Sequence, residues 1–381
     1  MNNSQNKKHT TNFKINGHID QIDFLRGVAI LLVFFFHFMI YLFPGYQEWD
    51  YDSNNFLIIR SFRNFLLNFN PVGQGWVGVE LFLIISGFLI HYSYLNQSKF
   101  FTNRFFFSKR FWRIYPPYIL CLLFFYITNG VYTMDVSYEG IKSLILHILL
   151  LHNFSEDTFY SINPSFWSIA LEVQLYLIYP LFIFITKKKN ELFAFFLSFL
   201  VYLIYLFIEL RYPKDINLTI HFSIIKYWFV WCSGAFLASY HFEKKKLFKK
   251  PRTVFLFSFA LFFVIKLNYV TNIFNTLFAV LACLAFIEIV LNLDIRENWI
   301  DYLFRVIMKF GVISYSIYLI HQPFLVYLID FYNPASNFPI LNISIQFIFT
   351  FITLILISIS FYSLVELKSI EWGNYFRKKG N

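Results

Sequence analysis

Residues 22–43 read IDFLRGVAILLVFFFHFMIYLF, an apolar run of 22 residues that contains Asp23, Arg26 and His37. About 20 mostly apolar residues cross the hydrocarbon core of a bilayer as a helix, so this run predicts a transmembrane helix. Residues 141–152 are apolar but too few to span, and there we expect an interfacial or re-entrant helix. Nine further stretches qualify as spans by length and apolarity, at roughly 73–95, 112–128, 167–186, 191–209, 222–242, 253–268, 271–291, 307–330 and 341–365.

The composition of the whole chain agrees with a membrane protein. Hydrophobic residues make up 58% of the 381 residues and charged residues 14%, and the mean hydropathy is +0.55. A soluble domain has about 25% charged residues and does not hide this much apolar surface. The same numbers exclude a disordered chain, a coiled coil and a disulfide-stapled secreted domain. Cys121, Cys232 and Cys283 lie in apolar spans without metal-ligand spacing, so we expect buried thiols and no metal site.

The distribution of basic residues predicts the topology. If the N-terminus is cytoplasmic, 24 of the 32 Lys and Arg residues fall in cytoplasmic segments, 5 in outer loops and 3 within spans. This positive-inside bias predicts an all-α, polytopic membrane helix bundle of about ten transmembrane helices with both termini cytoplasmic. It also accounts for most of the net charge of +10 without a nucleic-acid partner.

The chain divides into a polar cytoplasmic N-terminus (1–21), a transmembrane domain (22–365) and a basic cytoplasmic tail (366–381). The polar start and the lack of a small-residue cleavage site after the first apolar run argue against a removable signal peptide. We find no soluble domain and no internal repeat in the sequence.

Ionisable residues inside spans are the strongest functional signal, because each is costly in lipid unless it faces a cavity or a partner. Arg26 and His37 are 11 residues apart, which places them on one helix face about 16 Å apart. Asp23 lies one turn before Arg26 on nearly the same stripe. Taken alone, Arg26 is either a snorkelling interface anchor or a functional group. His37 lies too deep to reach the interface, which favours a functional role.

Residues that are far apart in the sequence are predicted to lie at the same depth in the membrane. Counting from the span boundaries, Glu80, Glu172 and His321 fall at about the depth of His37, in the outer half of the membrane. At the cytoplasmic edge, Arg110 and Arg113 are spaced i, i+3 and share a helix face. Each arginine alone is typical of a positive-inside anchor. Together with Arg26, which approaches from the same side, they predict one anion-binding site.

Several familiar motifs give no support to other functions. Residues 73–78 fit G-x-G-x-x-G but open a membrane helix after an Asn-rich loop, so we interpret the match as accidental and its glycines as sites of close helix packing. The sequence has no Walker A motif, no HExxH and no G-x-S-x-G, which argues against ATP-driven transport, a zincin and an α/β-hydrolase.

The chain nevertheless resembles the acyltransferase 3 family of integral membrane acyltransferases. The resembling pieces occur in the family's order over nearly the whole chain, although residues 191–291 carry little of the signature. The pieces are Ile22 to Gly27 with Arg-x10-His ending at His37, Gly78 to Phe82 with Ser86 to Leu89, Arg110-x-x-Arg113 to Pro116, Phe166 to Ser168 with Glu172, Tyr176 and Pro180, and Ser314 to His321 with Pro323.

This resemblance implies a ten-helix bundle that takes an acyl group, usually acetyl, from cytosolic acyl-CoA. The group passes to a hydroxyl of a glycan or another acceptor on the far side of a bacterial cytoplasmic membrane. The resemblance also implies that the Arg26–His37 pair and the arginines Arg110 and Arg113 are functional. Acyl-CoA is then a donor substrate, and we expect no bound cofactor.

Acyl transfer to a hydroxyl needs a base for the hydroxyl proton and donors for the developing oxyanion. Our hypothesis makes His37 the base or a transient acyl acceptor, with Glu172 orienting it or balancing its charge. Arg26, Arg110 and Arg113 then bind the acyl-CoA. Glu80 either lines the site or is a packing partner. The other candidates for lining the site are Asp23, Ser86, Trp167, Ser168 and His321.

Two other function classes stay open from the sequence alone. Ionisable residues deep in the membrane also occur in transporters of glycans or small solutes, although we see no inverted pair of broken helices. A structural subunit of a glycan-synthesis complex is the third possibility. If the chain is an enzyme, O-antigen, exopolysaccharide, peptidoglycan and small glycosides are all compatible acceptors.

Overall fold

The computed structural model describes residues 20–42, 74–97, 102–128, 135–213, 216–265, 274–293, 299–331 and 339–379. In these ranges the chain forms thirteen helices longer than one turn and no β-strand. They are α1 (Asp20–Leu42), α2 (Val77–Gln97), α3 (Asn103–Thr128), α4 (Tyr138–Ile148), α5 (Phe166–Lys188), α6 (Glu191–Arg211), α7 (Ile224–Phe242), α8 (Pro251–Ile265), α9 (Asn275–Leu291), α10 (Trp299–Val312), α11 (Ser314–Phe331), α12 (Pro339–Phe361) and α13 (Leu367–Lys379).

The all-α membrane architecture expected from the sequence is confirmed. By length and composition, seven helices of the described part can cross a bilayer, or eight if the bent pair α10 and α11 forms one span. The predicted spans 253–268 and 271–291 appear as the shorter helices α8 and α9. Each of these two predicted spans includes residues that lie outside the described ranges. Most of the predicted N-terminus (1–21) also lies outside those ranges. The number of ten spans and the cytoplasmic termini stay predictions.

The predicted span 307–330 is two helices, α10 and α11, bent by 72° between Val312 and Ser314. The helix α10 packs closely on α1 because both contribute a glycine to the contact. A Cβ atom on Gly311 would overlap the main-chain oxygen of Asp23, and one on Gly27 would overlap that of Ile307. This contact holds α10 antiparallel alongside the first turns of α1, next to Arg26, while α11 turns into the core.

Close helix approach also fixes the centre of the bundle. Gly87 of α2 faces the main-chain oxygen of Trp231 in α7, and Gly234 of α7 faces that of Ile84 in α2. Small residues at such crossings allow dispersion contacts between backbones, which is how helices associate in lipid. Gly75 and Gly78 approach α1 in the same way, which confirms the packing role expected for these two glycines, whereas Gly73 lies outside the described residues. The three cysteines are buried thiols, also as expected.

The C-terminal helices form one long helix whose length exceeds the thickness of a bilayer's hydrocarbon core. A π-helical turn (Tyr362–Glu366) joins α12 to α13, and the continuous helix Ser344–Arg377 has 34 residues. At 1.5 Å per residue it is about 50 Å long, against about 30 Å of hydrocarbon. The predicted tail 366–381 is therefore helical over most of its length. It packs on α3, where the rings of Phe376 and Trp112 stack at 5.3 Å.

The short apolar stretch 141–152 overlaps the 11-residue helix α4, which begins at Tyr138 and is too short to span a bilayer. After it, the chain folds back so that the rings of His147 and His152 stack in parallel, 3.8 Å apart and buried. His147 Nδ1 donates to the main-chain oxygen of Ser143 at 2.8 Å. Burial lowers the pKa of His147 to about 4, and burial together with the neighbouring His147 lowers the pKa of His152 to about 2.

The histidine stack predicts a stability that depends on pH. Both imidazoles are neutral in the folded state, whereas in the unfolded chain they take up protons near the ordinary pKa of 6.5. The unfolded state then binds more protons, so the free energy of unfolding falls as the pH drops from about 6.5 towards 4, by about 1.4 kcal/mol per unit and histidine. Thermal unfolding of purified protein at several pH values measures this slope. A His152→Asn variant should have a shallower slope, and equal slopes would contradict the assignment.

The α1–α10 contact makes a prediction about packing. Gly311→Val places side-chain atoms where the main-chain oxygen of Asp23 lies, so the two helices must separate. We expect a loss of about 2 kcal/mol in the free energy of unfolding, as for other overpacked sites. The control is Val312→Ala, because Val312 is partly exposed beside the glycine. If both variants unfold at the same temperature as the parent protein, the close contact is not formed.

Candidate functional site

A cavity of about 1430 Å³ enters the bundle from the predicted cytoplasmic side. At its mouth it is bounded by Asn96, Gln97 and the Lys244–Lys246 segment, and at its inner end by Ser168 and Tyr318. Ligand sites for small molecules commonly enclose about 300–1,000 Å³, so this cavity has room for a large, extended ligand. Its wall carries the three arginines predicted to bind an anion, Arg26, Arg110 and Arg113.

The three arginines come from two helices that meet at the cavity. Arg26 projects from α1, and Arg110 and Arg113 project from neighbouring turns of α3. Arg26 and Arg113 are near enough for their charges to repel each other. The guanidinium of Arg110 lies 5.6 Å from the centre of the Tyr176 ring and 5.9 Å from that of Phe106. The three arginines thus lie on the wall of one cavity, and the anion-binding site expected there stays a prediction.

Carboxylates on three sides balance these cations. Asp23 Oδ1 lies 3.6 Å from Arg26 Nη1, and Glu172 and Glu366 also interact with the Arg26 charge. Glu366 is buried, interacts with Arg113 as well, and accepts a hydrogen bond from Ser316 Oγ at 2.6 Å. Sequence reasoning missed Glu366 because the predicted span ends at residue 365. The available signal was a lone acid at the end of a long apolar helix.

Glu172 lies in the middle of the cavity wall. It accepts a hydrogen bond from the Tyr176 hydroxyl, which is 3.2 Å from Ser86 Oγ. Trp231 Nε1 donates to the same Ser86 hydroxyl at 3.4 Å. Glu172 and Ser86 thus belong to one hydrogen-bonded group beside Arg110, and Glu172 also interacts with the charge of that arginine.

Tyr318 closes the inner end of the cavity. Its hydroxyl forms a hydrogen bond with Ser168 Oγ, and its ring packs edge-on against Phe82 at 6.1 Å. Behind it lies His321, whose ring centre is 5.4 Å from that of Tyr318. His321 is fully buried and does not line the cavity. Tyr318, which sequence reasoning did not single out, therefore separates the cavity from this histidine.

His37 and His321 are in contact beyond Tyr318, as their common depth suggested. His321 Nε2 lies 3.2 Å from His37 Nδ1. His321 Nδ1 donates to the main-chain oxygen of Tyr318 at 2.8 Å, so in the neutral ring Nε2 is an acceptor. His37 Nδ1 must then carry its proton, and it also lies 3.0 Å from the main-chain oxygen of Val33. This tautomer, assigned from the hydrogen bonds, leaves the lone pair of His37 on Nε2.

The two carboxylates predicted at the same depth do not join the histidines. Glu80 is buried and interacts with Lys226 and Thr276, away from the cavity. Among the described residues, the hydrogen bonds of Glu172 lead to Tyr176, and its charge reaches Tyr318 rather than His37 directly. Trp167 also lies outside the cavity wall, where its ring packs on Phe222 at 4.4 Å.

Comparison with known proteins places the chain in a family. The sequence model of the acyltransferase 3 family, described as an acyltransferase domain, matches residues 19–362. A putative acetyltransferase of Acidianus two-tailed virus is 29% identical over 191 residues, which are 50% of this chain and 48% of that protein. The peptidoglycan O-acetyltransferase OatA of Listeria monocytogenes is 26% identical over 196 residues, 48% of this chain and 26% of that protein.

An uncharacterized protein of Haemophilus influenzae is 32% identical over 123 residues, 29% of this chain and 50% of that protein. The chain thus spans half or less of the length of these relatives. No solved structure matches the chain.

Glu366 allows a test of the charge balance. Glu366→Gln keeps the size of the side chain and an acceptor for Ser316, but it removes the buried negative charge beside Arg26 and Arg113. Breaking a buried ion pair on one side costs about 3 kcal/mol, and we expect a loss of that order in the free energy of unfolding. The control is Glu371→Gln, one turn further on, whose ion pair with Lys368 is exposed. Equal stability of the two variants would contradict the counter-ion role.

Proposed function

This chain belongs to the acyltransferase 3 family, and we propose that it is a membrane O-acyltransferase. The donor is cytosolic acyl-CoA, with acetyl as the preferred acyl group, and the acceptor is a hydroxyl of an extracytoplasmic glycan such as O-antigen or exopolysaccharide. The location is a bacterial cytoplasmic membrane. One observation carries the proposal: an arginine-walled cavity from the predicted cytoplasmic side ends at Tyr318, whose ring packs on His321, and His321 in turn contacts His37, the histidine with a free lone pair. The acetyltransferase names of two relatives also support it.

The donor end of the proposed site uses the arginines. Guanidinium groups bind phosphate through paired, charge-assisted hydrogen bonds, so Arg26, Arg110 and Arg113 suit the phosphates of CoA. The pantetheine arm then extends inward along the cavity, and the thioester arrives at Ser168 and Tyr318. In this proposal the acyl group meets His37 only when the Tyr318 side chain moves aside, because Tyr318 ends the cavity and neither His37 nor His321 lines it.

The transfer step uses His37 as the base. Nε2 of His37 takes the proton of the acceptor hydroxyl while the hydroxyl oxygen attacks the thioester carbonyl. The oxyanion that forms is stabilised by the hydroxyl of Ser168, which is free to donate once Tyr318 has moved aside. When the carbon–sulfur bond breaks, the imidazolium returns the proton to the leaving thiolate, and the products are the O-acyl ester and CoA.

His321 has a positioning role in this mechanism. Its Nε2 accepts a hydrogen bond from the Nδ1–H of His37, which fixes the His37 tautomer and stabilises the imidazolium as it forms. Sequence reasoning assigned that orienting role to Glu172. In the proposed mechanism Glu172 acts from the cavity side, where its charge reaches Tyr318 and the arginines.

A transporter remains the alternative class, and the relevant observation is the bend of 72° between α10 and α11. Transporters with inverted repeats have broken helices in corresponding positions of the two halves. In the described part of the chain only this one helix pair is broken. The geometry therefore favours the enzyme.

The catalytic role of His37 is tested by transfer of labelled acetyl from acetyl-CoA in membranes that contain the full chain. Loss of a positioned base lowers rates about 10²- to 10⁴-fold, so we expect His37→Ala to lose at least 100-fold in rate. The control is His221→Asn, because His221 lies outside the cavity wall, next to Glu209. Protein levels in the membrane are compared for each variant. Near-normal transfer by His37→Ala at a normal protein level would overturn the assignment.

The acceptor is identified by comparing the O-acetylated glycans of cells with and without the gene. The glycan that loses O-acetyl groups when the gene is deleted, and regains them with the parent chain but not with His37→Ala, is the substrate. A deletion that leaves all O-acetylated glycans unchanged would contradict the glycan acceptor.

A further inference from the structure

A basic loop, residues 243–248, lies at the mouth of the cavity, directly after α7. Lys244, Lys245 and Lys246 all line the cavity there. Two main-chain hydrogen bonds join the start of the loop to the last turn of α7. The N–H of Lys245 donates to the main-chain oxygen of Tyr240 at 2.9 Å, and the N–H of Lys244 donates to that of His241 at 3.0 Å. This pattern is a Schellman motif, which ends a helix with one residue in the left-handed conformation.

The left-handed residue of this motif is Lys244, with φ of 57°. Glycine or asparagine usually occupies that position, because other side chains are strained there. A strained residue in a ligand cavity is a reason to look for a function of its side chain. At Lys244 the backbone is unfavourable for a lysine, and the side chain borders the cavity.

The far end of the basic loop is also held. The buried carboxylate of Glu288 accepts hydrogen bonds from the N–H groups of Leu247 at 2.6 Å and Phe248 at 3.0 Å. Both ends of the lysine segment are therefore fixed before any ligand arrives, which reduces the entropy lost on binding.

Two of the three lysines in the loop have side-chain charges that are available to a ligand. Lys245 Nζ forms an ion pair with Glu243 Oε2 at 2.6 Å. In the described part of the chain, Lys244 and Lys246 form no ion pair. The cavity thus has two groups of cations from different elements, the arginines of α1 and α3 with the neighbouring Lys109, and these lysines after α7, while Arg305 of α10 also lines it.

Two groups of cations suit a ligand with two separate anionic groups. CoA has a diphosphate in its middle and a 3′-phosphate on its adenosine, at the end farthest from the thioester. We propose that the basic loop binds the 3′-phosphate of the CoA donor through Lys244 and Lys246, while the arginines bind the diphosphate. This inference rests on the proposed function, in which the thioester lies innermost and the nucleotide end therefore lies at the mouth.

A phosphomonoester carries about −1.5 to −2 charges at pH 7 and three acceptor oxygens, which suits two lysines. The consequence is specificity, because a donor that lacks the 3′-phosphate leaves both lysines without a partner. An anionic lipid headgroup at the membrane surface offers the same phosphate chemistry, and the experiment must distinguish the two sources.

The experiment measures equilibrium binding of CoA and of 3′-dephospho-CoA to the full chain in nanodiscs of phosphatidylcholine, which has no net charge. Charge-assisted contacts predict about ten-fold tighter binding of CoA by the parent protein. The variant Lys244→Gly/Lys246→Gln should bind both ligands with nearly equal affinity. The matched control is Lys249→Gln/Lys250→Gln, because these lysines are exposed in the same segment but do not line the cavity. It should keep the ten-fold preference.

Two further variants separate ligand binding from a role in folding. Lys244→Arg should keep most of the preference, because it retains the charge. Lys244→Gly alone should lose part of the preference without a lower unfolding temperature, because glycine fits the left-handed position. A fall in unfolding temperature together with an unchanged preference would show a structural lysine and overturn the proposal.

The remaining outcomes test the 3′-phosphate site separately from the proposed function. Equal affinity of the parent protein for both ligands, with acetyl transfer intact, would overturn the 3′-phosphate site and leave the proposed function standing. When phosphatidylglycerol is added to the nanodiscs, lysine variants that keep the ligand preference but bind less of this anionic lipid than the parent protein would overturn the proposal and assign the loop to lipid. If the parent protein binds neither ligand, both the site and the proposed function are wrong.

Discussion

A guanidinium inside a membrane protein must meet its counter-charges within the protein, because the hydrocarbon of the bilayer provides none. Much of the structure around the cavity serves this constraint at Arg26. Asp23 supplies one carboxylate from the preceding turn, Glu172 supplies another from α5, and Glu366 supplies a third from the π-helical turn. A π turn adds a residue to the helical repeat, and such turns recur at functional sites. Here the π turn ends at Glu366, its one acidic residue, which faces Arg26 and Arg113.

The close packing of the bundle follows from the same setting. Helices in lipid gain no hydrophobic energy by associating, so they depend on contact between backbones. Gly27 and Gly311 allow α10 to lie directly on α1 beside Arg26. The reciprocal pair Gly87 and Gly234 joins α2 to α7, close to the Ser86 and Trp231 hydrogen bond. Groups at the cavity are therefore positioned by the tightest helix contacts in the described structure.

The sequence predicted the features that depend on local pattern. Each of the ten apolar stretches contains a helix, and the depth argument correctly brought His37 and His321 together, because helical rise is nearly constant. Depth along the membrane does not give the rotation of a helix about its own axis. That rotation turns Glu80 towards Lys226 and Glu172 towards the cavity. The sequence also could not predict the bend before Ser314, because that bend depends on packing of α10 against another helix.

The position of Tyr318 bears on a problem that any such transferase must solve. A base that takes a proton from an acceptor hydroxyl also takes one from water, and water is far more abundant, so a thioester beside His37 would hydrolyse. Excluding water from the reacting groups until the acceptor is bound prevents that loss. With the Tyr318 hydroxyl on Ser168, the proposed donor cavity and the histidines are separate compartments. In the proposed reaction, movement of this one side chain joins them, so donor and base meet only when the tyrosine has left Ser168.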